Sequence, residues 1–217
     1  MESKGDIKIL KPKIPIDLYE SDFSKEEISD NSSISTILFK DDYLEDIEAE
    51  RVCFNETVFR NVKFINVSLQ HAELMDVRFE NCDLSNVIFR EASIHRVEFI
   101  NCKLTGINFN ESTFKNVVFD QCKGQYAFFR FTDCKQAMFS NCQLRASDFQ
   151  ESKFLKVGFN NTDLTQCLFF GTKLTGMDFC SCEIEGMAAR VEDVKGAIVS
   201  PAQAIWLANL LGIIIKG

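Results

Sequence analysis

Large apolar residues recur at every fifth position from Ile34 to Val199, and this period constrains the fold more than any other feature. Of the 34 positions in the series, only Ala49, Gly124, Cys134 and Ala189 are not large and apolar. The series holds 17 of the chain's 21 Phe, whereas random placement would put about a fifth of them there. A period of five fits neither an α-helix, with 3.6 residues per turn, nor a flat strand, with a period of two.

Small residues form a second series, two positions before each large one. Of its 34 positions, 27 hold Ala, Cys, Ser, Thr or Val. Residues two apart on an extended segment point to the same side, so the small position, i−2, and the large position, i, are expected to point inward together. The next small position follows only three residues later, which breaks the alternation and predicts a corner. Turn-forming residues such as Asn81, Asn101 and Gly106 occupy the corner position, i+2.

Four short sides would close one coil in 20 residues, and the sequence repeats with that longer period. Every twentieth residue from Phe39 to Phe179 is Phe, and Cys82, Cys102, Cys122 and Cys142 follow the same spacing. A narrow interior has to be filled at near-crystalline density, which explains why small residues alternate with large ones. The sequence therefore predicts an all-β solenoid, a quadrilateral β-helix of about eight 20-residue coils, with a short C-terminal helix.

The repeat divides the chain into three predicted parts: an N-terminal extension or cap (1–31), the β-helix (32–199) and a C-terminal helix with a dimerisation tail (200–217). Pro12 and Pro15 favour extended chain in the N-terminal part. Residues 24–27 fit a capping box, which predicts a short helix over the first coil. Such a cover would protect an open sheet edge from aggregation.

The C-terminal part carries strong helix signals and an excess of apolar residues. Ser200 suits the N-cap, Pro201 the first helical position and Gln203 the capping-box position, and Gly212 suits a stop after about Leu211. A cap over one narrow coil needs less apolar surface than this tail has. We therefore predict a homodimer through the tail; the alternative is a monomeric cap. The predicted contact residues are Ile205, Trp206, Ala208, Leu211 and Ile213.

The pentads Asn-Cys-Asp-Leu-Ser (81–85), Asn-Cys-Lys-Leu-Thr (101–105) and Asn-Cys-Gln-Leu-Arg (141–145) resemble the pentapeptide-repeat family. The resemblance implies a right-handed β-helix. The tail, Ser-Pro-Ala-Gln-Ala-Ile-Trp-Leu-Ala (200–208) through Leu-Gly-Ile-Ile (211–214), resembles Qnr-type quinolone-resistance proteins within that family. This implies a dimer-forming tail and a DNA-mimicking surface that binds DNA gyrase or topoisomerase IV. The unbroken period from 34 to 199 leaves no projecting loop of the kind some Qnr-type proteins carry.

Charge supports an acidic interaction surface. The formal net charge is −8, and residues 41–50 include six carboxylates and no Lys or Arg. We expect no direct binding to nucleic acid, because phosphate contacts need clustered Lys and Arg. The alternatives are an acidic surface that serves solubility alone, an interaction scaffold for an unrelated partner, and an immunity factor against a topoisomerase toxin. The predicted acidic contact residues are Asp41, Asp42, Glu45, Asp46, Glu73, Asp76, Glu80 and Asp83.

No pattern of residues points to an enzyme, a cofactor or a metal site. The chain has nine Cys but only two His, His71 and His95, and it lacks the GxGxxG, P-loop and HExxH motifs. Most Cys occupy inward slots, where parallel side chains do not converge on a metal, so we interpret them as core residues rather than as a metal or redox site. Without a signal peptide or a run of about 20 apolar residues, the chain is expected to be cytoplasmic, with no membrane association.

Two irregularities in the large series flank an aromatic cluster. Gly124 and Cys134 replace large core residues on either side of Phe128 and Phe131, which fall on outward or corner positions. One interpretation is that both rings fold inward to fill the gaps, and the other is an exposed patch for a partner. We favour the inward interpretation, because a Gly in a large slot would otherwise leave a void.

Overall fold

The computed structural model describes residues 7–23 and 28–214, and it is a parallel β-solenoid of about seven turns with one short C-terminal helix. This confirms the predicted fold class, with about seven turns where about eight coils were predicted. The capping box predicted at 24–27 lies outside the described residues. The elements are β1 (Tyr19–Ser21), β2 (Ser33–Ser35), β3 (Ile37–Lys40), β4 (Tyr43–Glu50), β5 (Cys53–Asn55), β6 (Val58–Arg60), β7 (Lys63–Gln70), β8 (Glu73–Glu80), β9 (Ser93–Ile100), β10 (Thr113–Asp120), β11 (Asp133–Ser140), β12 (Lys153–Asn160), α1 (Pro201–Ala208) and a 3₁₀ turn (Asn209–Leu211).

Residues 20 apart in sequence lie side by side on neighbouring coils. In the ladder of β9, β10 and β11, Phe119 pairs with Phe99 on one side and with Phe139 on the other. The predicted 20-residue coil is therefore confirmed. Each coil has four sides, which we number in chain order, and large residues 20 apart lie on the same side. The large residues of two successive coils are Phe54 and Leu74 on side one, Phe59 and Phe79 on side two, Phe64 and Leu84 on side three, and Leu69 and Phe89 on side four. Strands β8 to β12 each cover sides one and two, and side one lies opposite side three.

The core is built on two columns of Phe rings. Eight rungs on side two, from Phe39 to Phe179, stack with centroids 4.6 to 6.0 Å apart, and the seven steps between them correspond to the seven turns. A second column on side four meets the first edge to face, as between Phe119 and Phe129 at 6.1 Å and 88°. Each buried Phe stabilises the fold by about 1.5–3 kcal/mol, so these columns dominate its stability.

The coil corners from Asn31 to Gly176 use a left-handed backbone conformation. The i+2 residue has a positive φ at every coil corner from Asn31 to Gly176. Asn and Gly adopt this conformation readily, but Arg96, Tyr126 and Ala146 also do so. Each such residue is strained by about 1–2 kcal/mol, and the inward packing of the pentad offsets this strain. The corner position is thus as predicted, although its residue types are less restricted than the sequence indicates.

The gap at Gly124 is closed by its axial neighbours. A Cβ on Gly124 would lie 2.9 Å from Leu144 Cδ2 and 3.6 Å from Leu104 Cβ, so the leucines already occupy the space. Phe128 and Phe131 are 40% and 52% exposed. The prediction that both rings fold inward is wrong, because the backbone fixes their outward direction and no void remains to attract them.

An extended N-terminal segment, residues 7–13, runs along the corner between sides one and two; we call it the strap. The Gln136 side chain donates to the Lys8 carbonyl oxygen at 3.0 Å, and the Leu10 amide donates to Asn116 Oδ1 at 3.1 Å. Farther along, the Lys13 amide donates to Asp76 Oδ1 at 2.8 Å. The strap therefore crosses successive coils lengthwise. The first coil is covered instead by β1 and by Phe23, which stacks on Phe39 at 4.2 Å.

The C-terminal end closes as the helix signals predict. Ser200 caps α1 in a reciprocal capping box with Gln203, and Gly212 ends the following 3₁₀ turn with φ 71°. Gln203 is buried, and its Nε2 donates to the carbonyl oxygens of Phe179 at 2.8 Å and Cys182 at 2.7 Å. These carbonyls lie where the ladder ends, so the side chain replaces donors that a further coil would provide.

Candidate interaction surfaces

The carboxylates of residues 41–50 lie on the first coil, around strand β4; we call them the acidic end. Glu45, Asp46 and Glu48 are exposed, and none of them forms an ion pair with another described residue. Asp41 lies 3.7 Å from Lys40 and Glu50 lies 3.3 Å from Arg51, but both pairs are exposed and therefore weak. Asp42 instead accepts hydrogen bonds from the backbone amides of Phe23 and Tyr43. The acidic end is thus an uncompensated negative surface.

An open groove of about 720 Å³ borders the acidic end on sides three and four. Asp46, Glu48 and Asp83 contribute carboxylates to its wall, Lys63 contributes one positive charge, and Ile65 and Ile88 contribute apolar surface. A partner that docks here would meet negative charge beside apolar contacts.

Asp76, predicted for the acidic surface, is instead buried, with 4% of its area exposed. Its carboxylate pairs with Arg96 at 2.5 Å and accepts the Lys13 amide of the strap. Burial alone would raise the pKa of Asp76, but the hydrogen bonds from Arg96 and Lys13 and the charge of Arg96 outweigh it, and the pKa is lowered. The prediction for this residue is wrong because the strap covers it, which no local pattern indicates.

The other predicted carboxylates differ in exposure and in pairing. Glu73 is exposed, whereas Glu80 is held by Arg60 at 2.7 Å and by Arg78 at 3.5 Å. Asp83 lies 3.4 Å from Lys103 and accepts from Ser85. Burial acts to raise the pKa of Asp83, but the Ser85 hydrogen bonds and Lys103 together lower it. Among the predicted contact residues, uncompensated charge is therefore found at the acidic end and at Glu73.

The C-terminal tail presents apolar side chains to solvent. Leu207 packs against the core, while Ile205, Trp206, Leu211 and Ile213 are 51%, 44%, 61% and 49% exposed. Ala208 is half-buried. The helix thus closes the last coil through Gln203 and Leu207 and leaves most of the predicted contact residues uncovered.

A second apolar surface lies along side four and the two corners that bound it. Tyr126, Phe128 and Phe131 are 60%, 40% and 52% exposed, and the Arg130 guanidinium lies 5.6 Å from the centre of the Phe131 ring. Of these residues, the sequence indicated Phe128 and Phe131 as an irregular aromatic site, but with both rings in the core.

The cysteine ladder belongs to the packing of the core. Cys82 and Cys102 donate their Sγ hydrogens to the carbonyl oxygens of Phe59 and Phe79, at 3.3 and 3.5 Å. Burial raises the pKa of Cys134 and of Cys167 to about 12, so these thiols stay protonated at neutral pH. Only Cys180 is exposed and Cys53 half-buried, as expected for residues outside both series.

Within 7–23 and 28–214, no three or more His, Cys, Asp or Glu side chains are grouped so that they could hold a metal ion. The described residues also contain no helix with the length and apolar character needed to cross a membrane.

Comparison with known proteins identifies the repeat. The model described as "Pentapeptide repeat region" matches residues 72–149 and 92–166, and "Pentapeptide repeats (8 copies)" matches 49–81. Among curated proteins, the uncharacterized protein YisX of Bacillus subtilis (strain 168) is 44% identical over 70 residues, which are 32% of this chain and 32% of YisX. The match thus spans about a third of the length of that relative.

The solved structures that this chain resembles in part include full-length QnrB1, a plasmid-mediated fluoroquinolone resistance protein. It is 19% identical, with a TM-score of 0.42 over 90% of this chain and 95% of that one. HetL, a pentapeptide repeat protein involved in heterocyst differentiation regulation from the cyanobacterium Nostoc sp. strain PCC 7120, is 15% identical, with a TM-score of 0.31 over 81% and 92%. The five-residue period, the coils that it closes and the family models that match residues 49–166 lead to one conclusion: the chain belongs to the pentapeptide-repeat family.

Proposed function

We propose that the protein is a homodimeric rod that binds DNA gyrase or topoisomerase IV in place of duplex DNA and protects the enzyme from quinolones. The observation that carries this proposal is the acidic end, where Glu45, Asp46 and Glu48 lie exposed and without ion-pair partners among the described residues. The resemblance of the tail to Qnr-type proteins supports the choice of enzyme.

The rod suits a DNA-mimicking role because its carboxylates are held on a stiff scaffold. Those of the acidic end lie on and beside strand β4, which is hydrogen-bonded to β7 along its whole length. A groove built for DNA has positively charged walls, which attract a negative rod and speed its association. Because the backbone that carries these charges is already ordered, binding costs only the entropy of the side chains themselves.

Dimerisation through the tail would place the two acidic ends far apart. The acidic end lies on the first coil and the exposed apolar side chains of the tail lie beyond the last. Seven steps of about 4.8 Å make one rod roughly 34 Å long, so two rods joined at their tails span roughly 70 Å. That length corresponds to about two turns of duplex DNA, at roughly 34 Å per turn.

A supercoiling assay with gyrase and a fluoroquinolone tests the proposal. The wild-type protein is expected to restore supercoiling in a concentration-dependent way. A variant with Glu45→Gln, Asp46→Asn and Glu48→Gln is expected to need at least tenfold more protein. The matched control, Glu183→Gln, Glu185→Gln and Glu192→Gln, removes three exposed carboxylates from the other end of the rod. Failure of the wild-type protein to restore supercoiling at any concentration would refute the proposal.

A scaffold function is the second candidate, and the exposed cluster of Tyr126, Phe128 and Phe131 favours it. Exposed aromatic side chains beside an Arg are typical of protein-interaction hot spots. A pull-down from lysate with the wild-type protein and with a Phe128→Ser variant distinguishes the scaffold function from topoisomerase protection. Partners that are lost in the variant, with no topoisomerase among them, would favour the scaffold. An immunity role would act on the same enzyme, and adding a topoisomerase toxin to the supercoiling assay in place of the drug tests it.

A further inference from the structure

Positive charge is concentrated on one side of this acidic protein. Side one of the C-terminal coils and the adjoining strap carry eight exposed lysines; we call this surface the lysine face. Its members are Lys115, Lys135, Lys153, Lys156 and Lys173 on the coils, and Lys8, Lys11 and Lys13 on the strap.

The charges of the lysine face are almost uncompensated. Lys135 lies 3.2 Å from Asp133, and no other member forms an ion pair with a described residue. Lys115 and Lys135 are direct partners on β10 and β11, on strands about 4.8 Å apart. Like charges in such a pair destabilise a sheet. Folding alone therefore does not explain why they are adjacent.

The strap adds its lysines to the same surface. It bonds to Asn116 and Gln136, which directly follow Lys115 and Lys135 in sequence. The strap thus lies beside these two lysines and runs along the rod axis. The result is an elongated basic strip rather than an isolated pair.

The opposite side of the rod also has a like-charged pair, Lys103 and Lys123, but its lysines are mixed with carboxylates. Along the outward column of side three, Lys63, Lys103 and Lys123 alternate or continue with Asp83, Asp163 and Glu183, and Asp83 lies 3.4 Å from Lys103. The lysine face is therefore a local feature and does not follow from the overall lysine content.

His95 lies at the edge of the lysine face, and the positive charge there affects its pKa. Burial is the largest cause that lowers the pKa of His95, and the neighbouring charges of Arg96 and Lys115 lower it further. Asp76, which Arg96 neutralises, acts in the opposite direction. The environment of His95 is thus positive although the protein as a whole is negative.

The composition of the face favours a phosphate backbone over a protein partner. Lys is depleted in protein interfaces, which need apolar or aromatic anchors, whereas Lys and Arg provide the contacts to phosphates. In the described part of the chain, the large apolar side chains exposed on side one and the strap are Leu155, Met75 and Leu10, none of them aromatic. No exposed aromatic ring lies among the described residues of side one, and base stacking on such rings is how single strands are usually held.

From this arrangement we propose that the lysine face binds the backbone of duplex nucleic acid without sequence preference. The expectation of no nucleic-acid binding rests on the net charge, but that charge is not evenly distributed. The acidic end, at the far end of the rod, repels the duplex and orients it along side one. This contact involves the protein alone and does not depend on any topoisomerase.

Fluorescence anisotropy with a labelled 20-base-pair DNA tests the proposal directly. Binding is expected at 50 mM KCl, and contact with about four phosphates would weaken it roughly fifty-fold at 150 mM. A variant with Lys115→Gln, Lys135→Gln and Lys156→Gln is expected to bind at least tenfold more weakly. The matched control, Lys63→Gln, Lys103→Gln and Lys123→Gln, changes the net charge equally on the opposite side and should bind within twofold of wild type.

The two histidines provide a readout that does not depend on substitution. In NMR spectra, the His95 imidazole signals should shift and titrate at higher pH when the DNA is added. His71, which lies at a corner beside Glu91 and not in the ladder with Lys115, should not respond. No binding at 50 mM KCl, equal losses in both triple variants, or equal responses of the two histidines would each overturn the proposal. So would equally tight binding of polyglutamate or of phosphatidylserine vesicles.

Discussion

The Gln203 side chain donates to the carbonyl oxygen of Phe179, the last rung of the central Phe column, and so joins the C-terminal helix to the end of the core. The same amide also reaches Cys182, and its oxygen accepts the Ser200 amide. One buried side chain thus serves both the last coil and the helix N-terminus.

Gln203→Leu is expected to destabilise this end of the rod by about 2–4 kcal/mol. The Cys182 carbonyl would lose its donor, the Phe179 carbonyl would keep only the Cys182 amide, and the capping box would lose the bond from the Ser200 amide, at about 1–1.5 kcal/mol each. Hydrogen exchange of the amides in α1 and in the last coil measures the loss. Gln143→Leu changes an exposed glutamine and serves as the control. Equal protection in the two variants would contradict the role assigned to Gln203.

The left-handed corners predict a stabilising substitution. Ala146 has a φ of 58°, where a side chain costs about 1–2 kcal/mol, so Ala146→Gly should raise stability by up to about 1 kcal/mol after the entropy of Gly is subtracted. Ala137, which points inward and is fully buried, gives the contrast: Ala137→Gly should lower stability. Thermal unfolding followed by circular dichroism distinguishes these signs, and a destabilised Ala146→Gly variant would contradict the corner assignment.

The tail prediction concerns oligomeric state. A variant with Ile205→Asp and Leu211→Asp is expected to be monomeric, because both side chains are more than half exposed and charges would be buried on pairing. Light scattering after size exclusion gives the mass. Met75→Asp with Tyr126→Asp alters exposed apolar residues elsewhere and should remain dimeric. A dimer-sized double tail variant would indicate that the tail is only a cap.

The buried pair of Asp76 and Arg96 predicts acid sensitivity. The folded-state pKa of Asp76 is lowered, so its ionised form stabilises the fold above the ordinary carboxylate pKa of about 4, and this stability is lost as pH falls through the folded value. Asp76→Asn should lower stability at pH 7 and flatten its acid dependence below about pH 4. Melting temperatures measured from pH 3 to 7 check both effects; parallel curves for variant and wild type would count against the assignment.

The repeat could be predicted from sequence because the large and small apolar residues mark the inward positions of every pentad. Phe119 and Ala137 are buried as the period predicts. The strap could not be read in this way, since its bonds join residues as far apart as Lys8 and Gln136 and leave no local periodicity. The burial of Asp76 under the strap was missed for the same reason.

The surfaces were only partly predictable. The exposure of Phe128 depends on how Leu104 and Leu144 fill the space at Gly124, which is a matter of packing rather than pattern. The lysine face did have a signal, since Lys115 and Lys135 are 20 residues apart on outward positions. Reading every twentieth outward residue would have found it, whereas net charge conceals it.

The 20-residue coil also determines which side of the rod each outward residue faces. Removing a single pentad would leave every later large residue inward, and the core would remain filled. All outward residues beyond the deletion, however, would rotate by a quarter turn about the axis. Lysines that are aligned on one side would then lie on two different sides. Segments can therefore be inserted or deleted without loss of the charge pattern only in whole coils of 20 residues.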